Sequence, residues 1–116
     1  MSAQSQAKSV TLATLQKMKE EGKSFSCLTA YDAAFATVLQ NAGVDVVLVG
    51  DSVGMVVQGR ETTIPVTLDE MIYHSQIVAR GMQRPMLMVD MPFMSYSTPK
   101  ECLFNAAKLM KLGSIE

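Results

Sequence analysis

Two aspartates stand at the ends of apolar runs, Val47-Leu48-Val49-Gly50-Asp51 and Leu87-Met88-Val89-Asp90. If the runs are parallel strands, both carboxylates emerge at the C-terminal pole of the sheet, where the sites of such folds lie. Neighbouring strands are ~4.8 Å apart, close enough for two carboxylates to share one hard cation. Magnesium suits the pair, because it takes one or two carboxylates and completes its shell with waters and substrate oxygens. Each Asp taken singly also suits a turn or a loop cap, and both readings stand at this point. Ser52 follows Asp51 and is placed either to hydrogen-bond an anionic ligand or to serve as an ordinary loop hydroxyl.

Other chemistries find little support. The stretch from Asp51 to Val66 is long for a strand-to-helix connection, and it lacks the glycine spacing of a nucleotide loop. Gly50-Asp51-Ser52-Val53-Gly54 is not a nucleophile elbow. His74 is the sole histidine and has no metal-ligand spacing around it, so it reads as a helix-surface or packing residue. Cys27 and Cys102 are far apart and read as reduced, buried thiols. Most of the ten methionines fall in strands or on apolar helix faces and read as core. Met91-Pro92-Phe93-Met94-Ser95-Tyr96 is apolar for a loop and either roofs a pocket or lines a subunit contact. Ten Lys+Arg against eleven Asp+Glu leave a net charge of −1, which removes the electrostatic case for a nucleic-acid binder. No apolar run reaches the ~18–20 residues of a membrane span, and the polar leader over residues 1–9 is no signal peptide. A cytoplasmic domain is expected.

The elements that must position these residues alternate. Thr11 to Glu21 reads as a helix with Leu12, Leu15 and Met18 on one face and Gly22 as its stop; Phe25 to Thr29 reads as a buried strand. Phe35, Val38, Leu39 and Ala42 mark an amphipathic helix closed by Gly43, and Val44 to Val49 follows as a β-branched strand. Thr67 and Glu70 form a capping box opening a helix through Arg80, with Gly81 as its stop; Met86 to Val89 is the third strand. Thr98 and Glu101 repeat the capping box around Pro99, and Leu103, Ala106, Ala107 and Met110 form the expected buried side of a helix ending at Gly113. The intervals between the helix-stop glycines suit the ~31 residues per unit of a (β/α)8 barrel, although an open doubly wound sheet has a similar rhythm. Three strands cannot close a barrel. The pattern therefore reads as the first part of a larger α/β domain, breaking off within about the fourth strand, and residues 1–116 on their own are expected to be marginally stable or aggregation-prone, with open sheet edges.

Several stretches closely resemble the ketopantoate hydroxymethyltransferase (3-methyl-2-oxobutanoate hydroxymethyltransferase) family. They are Leu28-Thr29-Ala30-Tyr31-Asp32, Leu48 to Met55, Val57-Gln58-Gly59, Pro65-Val66-Thr67, Asp90 to Tyr96 and Asn105-Ala106-Ala107, in order from about Val10 to Gly113. The resemblance implies the N-terminal portion of a (β/α)8 TIM barrel, homodecameric in bacteria, acting in pantothenate biosynthesis. The implied reaction transfers a hydroxymethyl group from 5,10-methylenetetrahydrofolate to 3-methyl-2-oxobutanoate, giving 2-dehydropantoate. Asp51 and Asp90 are the implied Mg2+ ligands, and Asp51, Ser52 and Asp90 the implied contacts to the 2-oxo acid. The family's lysine, its further acidic residue near the metal and its glutamate base have no counterpart here, so no catalytic residue is assigned and Glu116 receives no role. Two other readings remain: a related magnesium-dependent C–C lyase acting on 2-oxo acids, and a truncated non-catalytic product that binds full-length subunits.

Overall fold

The computed structural model describes residues 8–113 and residue 115. Most of the leader expected over 1–9, and Glu116, lie outside the described residues. Helix α1, Leu12–Glu20, begins at Thr11, whose hydroxyl accepts the Thr14 N–H while the Thr14 hydroxyl accepts the Thr11 N–H. It buries none of its residues. The elements that follow are β1 (Cys27–Thr29), α2 (Ala33–Asn41), β2 (Val46–Val49), α3 (Val53–Val56), α4 (Leu68–Arg80), β3 (Met86–Val89) and α5 (Pro99–Gly113).

The strands form a parallel sheet in the order β1-β2-β3, with Cys27, Val46 and Met86 in one row and Thr29, Leu48 and Met88 in another. Side chains alternate along a strand, so Val47, Val49, Leu87 and Val89 share the opposite face. That face meets Ala36, Met71, Ile72, Val78 and Leu109 of the helices in one core cluster. Each fully buried aliphatic side chain there contributes about 1.5–3 kcal/mol. On the other face, Thr29 and Met88 remain exposed.

The edge position of β1 corrects two expectations. The strand is confined to Cys27–Thr29 and all three residues are exposed, because it pairs on one side only and no helix packs extensively over it. Cys27 is accordingly an exposed free thiol, and Cys102 a half-buried one, rather than a buried pair. The methionines divide as well: Met71 and Met82 are core, whereas Met55, Met88, Met94 and Met110 are exposed.

Two helices present faces other than those their apolar spacing predicts. On α2, Phe35 (63% exposed) and Val38 (60%) point outward, Ala42 is exposed, and the buried residue is Ala36. Close approach decides this. A Cβ on Gly81 would lie 2.3 Å from the Ala33 carbonyl oxygen, and the Thr37 hydroxyl lies 2.7 Å from the Gly81 carbonyl oxygen, to which it donates. Small residues thus bring α2 against the end of α4. On α5, Leu103 and Met110 are exposed and Ala107 also faces out, while Leu109 and Gly113 are buried and Cys102, Asn105 and Ala106 are half-buried. A Cβ on Gly113 would lie 3.2 Å from the Ser75 Cβ, so α5 too seats its glycine where α4 comes near.

Both predicted capping residues of the later helices are in place. The Thr67 hydroxyl accepts the Glu70 N–H, and the Glu70 carboxylate accepts the Thr67 N–H. At α5 the Thr98 hydroxyl accepts the Glu101 N–H, but the Glu101 carboxylate takes the Ser97 hydroxyl instead of returning to Thr98. At the N-terminal pole, the Asp45 carboxylate accepts the Ser26 N–H (3.1 Å), the Ser26 hydroxyl (3.3 Å) and an Arg84 N–H (2.9 Å). Arg84 also donates to the Val44 carbonyl at 3.2 Å. These bonds tie together the residues that lead into all three strands. Burial pushes the Asp45 carboxyl upward, but the Arg84 guanidinium and the Ser26 donors outweigh it and hold the group below its ordinary 3.8.

Candidate active site

The C-terminal ends of the three strands bring four side chains into one neighbourhood. Asp90 follows β3, and its N–H donates to the Val49 carbonyl at 3.0 Å, extending the ladder past the last paired residue. Its Oδ2 accepts the backbone N–H of Asp51, which follows β2, at 3.1 Å. Gly50 is buried beside them: a Cβ there would lie 3.1 Å from Ser52 Oγ and 3.3 Å from Asp90 Oδ2. Ser52 Oγ and Asp90 Oδ2 therefore flank a space that only glycine leaves open. Asp51, Ser52 and Asp90, the residues singled out in the sequence, are all half-buried.

Tyr31, from the connection after β1, is the fourth. Its phenol oxygen is 2.5 Å from Ser52 Oγ. Ala30 N–H donates to the Leu48 carbonyl at 3.1 Å, which carries the first connection alongside β2. Asp32 then caps α2 by accepting the Phe35 N–H at 2.8 Å. His74 of α4 reaches the same connection, its Nδ1 lying 2.8 Å from the Tyr31 carbonyl oxygen, with its ring edge-on to Tyr73. The sequence reading left Tyr31 without a role. Its signal was position: it sits just past a strand, as Asp51 and Asp90 do.

The long connection after Asp51 is not a bare loop. It contains α3 and is anchored: Gly54 is pressed so close to Val66 that a Cβ would lie 2.5 Å from its Cγ2, and Arg60 N–H donates to the Gly54 carbonyl at 2.8 Å. The Gln58 amide donates to the Glu70 carboxylate. Hydrogen bonds, first from the Thr67 backbone, hold the Glu70 carboxyl below its ordinary 4.5 despite the opposing effect of burial. The connection after Asp90 is pinned as well. The Ser95 hydroxyl donates to the Pro92 carbonyl at 2.7 Å, the Asn105 amide donates to the Ser95 carbonyl at 2.7 Å, and Met94 takes the left-handed φ of 65°. Pro92 and Ser95 are buried, while Phe93, Met94 and Tyr96 face outward. A cavity of about 600 Å3 lined by Val10, Leu12, Met82, Pro85 and Met86 lies at the opposite pole and does not reach the carboxylates.

Residues 9–116 match the family model described as ketopantoate hydroxymethyltransferase. The chain belongs to this family. It is 55% identical over 105 residues to the 3-methyl-2-oxobutanoate hydroxymethyltransferase of Marinobacter nauticus, covering 90% of this chain and 40% of that protein. The enzyme of the same name from Nitrosococcus oceani is 54% identical over 107 residues, 92% of this chain and 40% of the relative. The chain thus spans about 40% of the length of the family members it matches. Among solved structures it is similar to 2,3-dimethylmalate lyase, a PEP mutase/isocitrate lyase superfamily member, with a TM-score of 0.62 at 20% identity, over 87% of this chain and 36% of that one. That likeness carries the fold alone, and the fold is the N-terminal portion of a (β/α)8 barrel. Among the described residues, no helix of this family member is long and apolar enough to cross a membrane.

Proposed function

We propose that residues 10–116 are the N-terminal portion of a single TIM-barrel domain, in an enzyme that moves a hydroxymethyl group from 5,10-methylenetetrahydrofolate to 3-methyl-2-oxobutanoate, giving 2-dehydropantoate. Family membership supports the reaction. The single observation that carries the site is the hydrogen-bonded juxtaposition of Asp51 and Asp90 at adjacent strand ends.

The residues present suit a magnesium ion. Asp51 and Asp90 offer hard carboxylate oxygens, and the side-chain-free Gly50 leaves room between Asp90 and Ser52. Among the described residues no group of three His, Cys, Asp or Glu side chains gathers, so this stretch supplies two carboxylates and the remaining ligands come from water, substrate or residues outside it. When bound, the ion supplies Lewis acidity to the ketone and carboxylate of the 2-oxo acid. Asp51 and Asp90 would hold the ion, and through it the acid's polar end, at the strand termini, and Ser52 donates a hydrogen bond to one of the acid's oxygens. C3 must lose a proton before it attacks the methylene carbon; no described residue is assigned that proton, and the family resemblance implies a glutamate base without a counterpart in this stretch. Cytoplasmic location and a homodecamer complete the reading.

The test uses a full-length relative whose corresponding segment is replaced by this sequence. Folate-dependent formation of 2-dehydropantoate is expected, and Asp51→Asn and Asp90→Asn should each lower magnesium-dependent affinity for the 2-oxo acid on the order of a hundredfold. Folate-independent cleavage of a C–C bond in a 2-oxo acid, with no 2-dehydropantoate formed, would move the reading to lyase chemistry. A chimera that assembles but has no activity would leave this chain as a non-catalytic binding partner.

A further inference from the structure

Tyr31 and His74 have no part in the reaction as proposed so far, yet His74 holds the Tyr31 backbone by one hydrogen bond and the Tyr31 phenol meets Ser52 by another. A backbone carbonyl can only accept, so His74 Nδ1 carries the proton and donates to Tyr31. That bond links α4 to the connection after β1 and fixes the backbone from which the Tyr31 side chain extends. At the other end two hydroxyl oxygens lie 2.5 Å apart, both on half-buried residues. A phenol is more acidic than an aliphatic alcohol, so the shared proton is that of Tyr31 and Ser52 Oγ accepts it. The serine proton must then point elsewhere. Ser52 Oγ flanks the space beside Gly50 that Asp90 Oδ2 flanks from the other side.

We infer that Tyr31, held by His74, is a positioning residue that makes Ser52 a hydrogen-bond donor toward the carboxylate or ketone oxygen of the 2-oxo acid. The inference rests on the proposed role of Ser52. Without the phenol, the Ser52 hydroxyl rotates freely and loses the polarisation that a hydrogen-bond chain provides. Substrate oxygens can only accept, so a serine committed to donation favours them over ligands that present an N–H or O–H at the same place.

The experiment is a double-mutant cycle in the full-length chimera, reading KM for 3-methyl-2-oxobutanoate, KM for the folate, kcat and Tm. Tyr31→Phe keeps the ring and removes only the hydroxyl. It should raise KM for the 2-oxo acid about tenfold and leave KM for the folate within about twofold. In a Ser52→Ala background the same change should have less than about a twofold effect, because the group it orients is gone. His74→Leu should shift KM in the same direction, and His74→Asn, which retains a donor near the Nδ1 position, should restore it. A Tyr31→Phe penalty of equal size in the Ser52→Ala background overturns the inference, as does a fall in Tm with KM unchanged. If Ser52→Ala alone leaves KM for the 2-oxo acid unaltered, the substrate role of Ser52 is what fails, and the positioning role falls with it.

Discussion

The backbone N–H of Asp51 donates to the carboxylate of Asp90 at 3.1 Å, so the end of one strand orients the side chain that follows the next. The bond needs only a backbone donor on Asp51, which leaves that residue's own carboxylate free to turn toward a ligand. One Asp90 oxygen is engaged and the other remains available. This is how two acidic residues are joined at adjacent strand ends in a half-buried position.

Gly50 should be intolerant of a side chain for reasons of function. Its Cβ would sit 3.1 Å from Ser52 Oγ and 3.3 Å from Asp90 Oδ2, tight enough to shift both by a few tenths of an ångström. Gly50→Ala is expected to weaken magnesium-dependent binding of the 2-oxo acid about tenfold, since small displacements of positioned groups carry large costs. Calorimetric titration of the chimera with and without magnesium measures it. Unchanged affinity would show that the space beside Gly50 is not where the acid binds.

The Asp45–Arg84 pair should give stability a component sensitive to acid. The folded carboxyl titrates below 3.8, so the stabilisation is fully present above that value and is lost as pH falls through the folded value. Asp45→Asn should lower stability by about 1–2 kcal/mol at pH 7, and the gap from the parent should close as the pH drops below the ordinary carboxylate range. Denaturant unfolding at a series of pH values reads the slope. A gap that stays constant across the series would remove the ionised Asp45 as its source.

Gly81→Ala should destabilise through packing. The added methyl would lie 2.3 Å from the Ala33 carbonyl oxygen and 2.8 Å from its Cα, so backbone, not a flexible side chain, must move. A loss of about 3 kcal/mol is expected, at the upper end of overpacking costs. The matched control is Ala→Gly at Ala33, which relieves no clash in the parent and should not rescue the variant, because the obstructing atoms belong to the backbone. Melting temperatures of the two single variants and the double variant decide it.

The sequence displayed its local signals plainly. Thr67 and Thr98 each cap the helix that their hydroxyls announce, β3 spans the predicted Met86–Val89, and Asp51 and Asp90 stand together at adjacent strand ends. Helix orientation was less legible. Periodicity counts apolar residues, but the orientations of α2 and α5 are set by close approaches, where Ala33 meets Gly81 and Gly113 meets Ser75. Such contacts join residues far apart in the chain and leave no local pattern. The partners of Tyr31 were hidden for the same reason, since Ser52 is on the next connection and His74 is on a helix further along.

The Asp45–Ser26–Arg84 knot closes the sheet at the pole opposite Asp51 and Asp90. Hydrogen bonds thus anchor the sheet at one end, and the proposed site lies at the other. A laboratory evolution campaign seeking other 2-oxo acids has a natural division of labour: diversify the connections after the strands, and leave the residues that lead into them untouched. Variants drawn from the first set should change specificity with little loss of expression, and those from the second should lose soluble yield before they gain any new substrate.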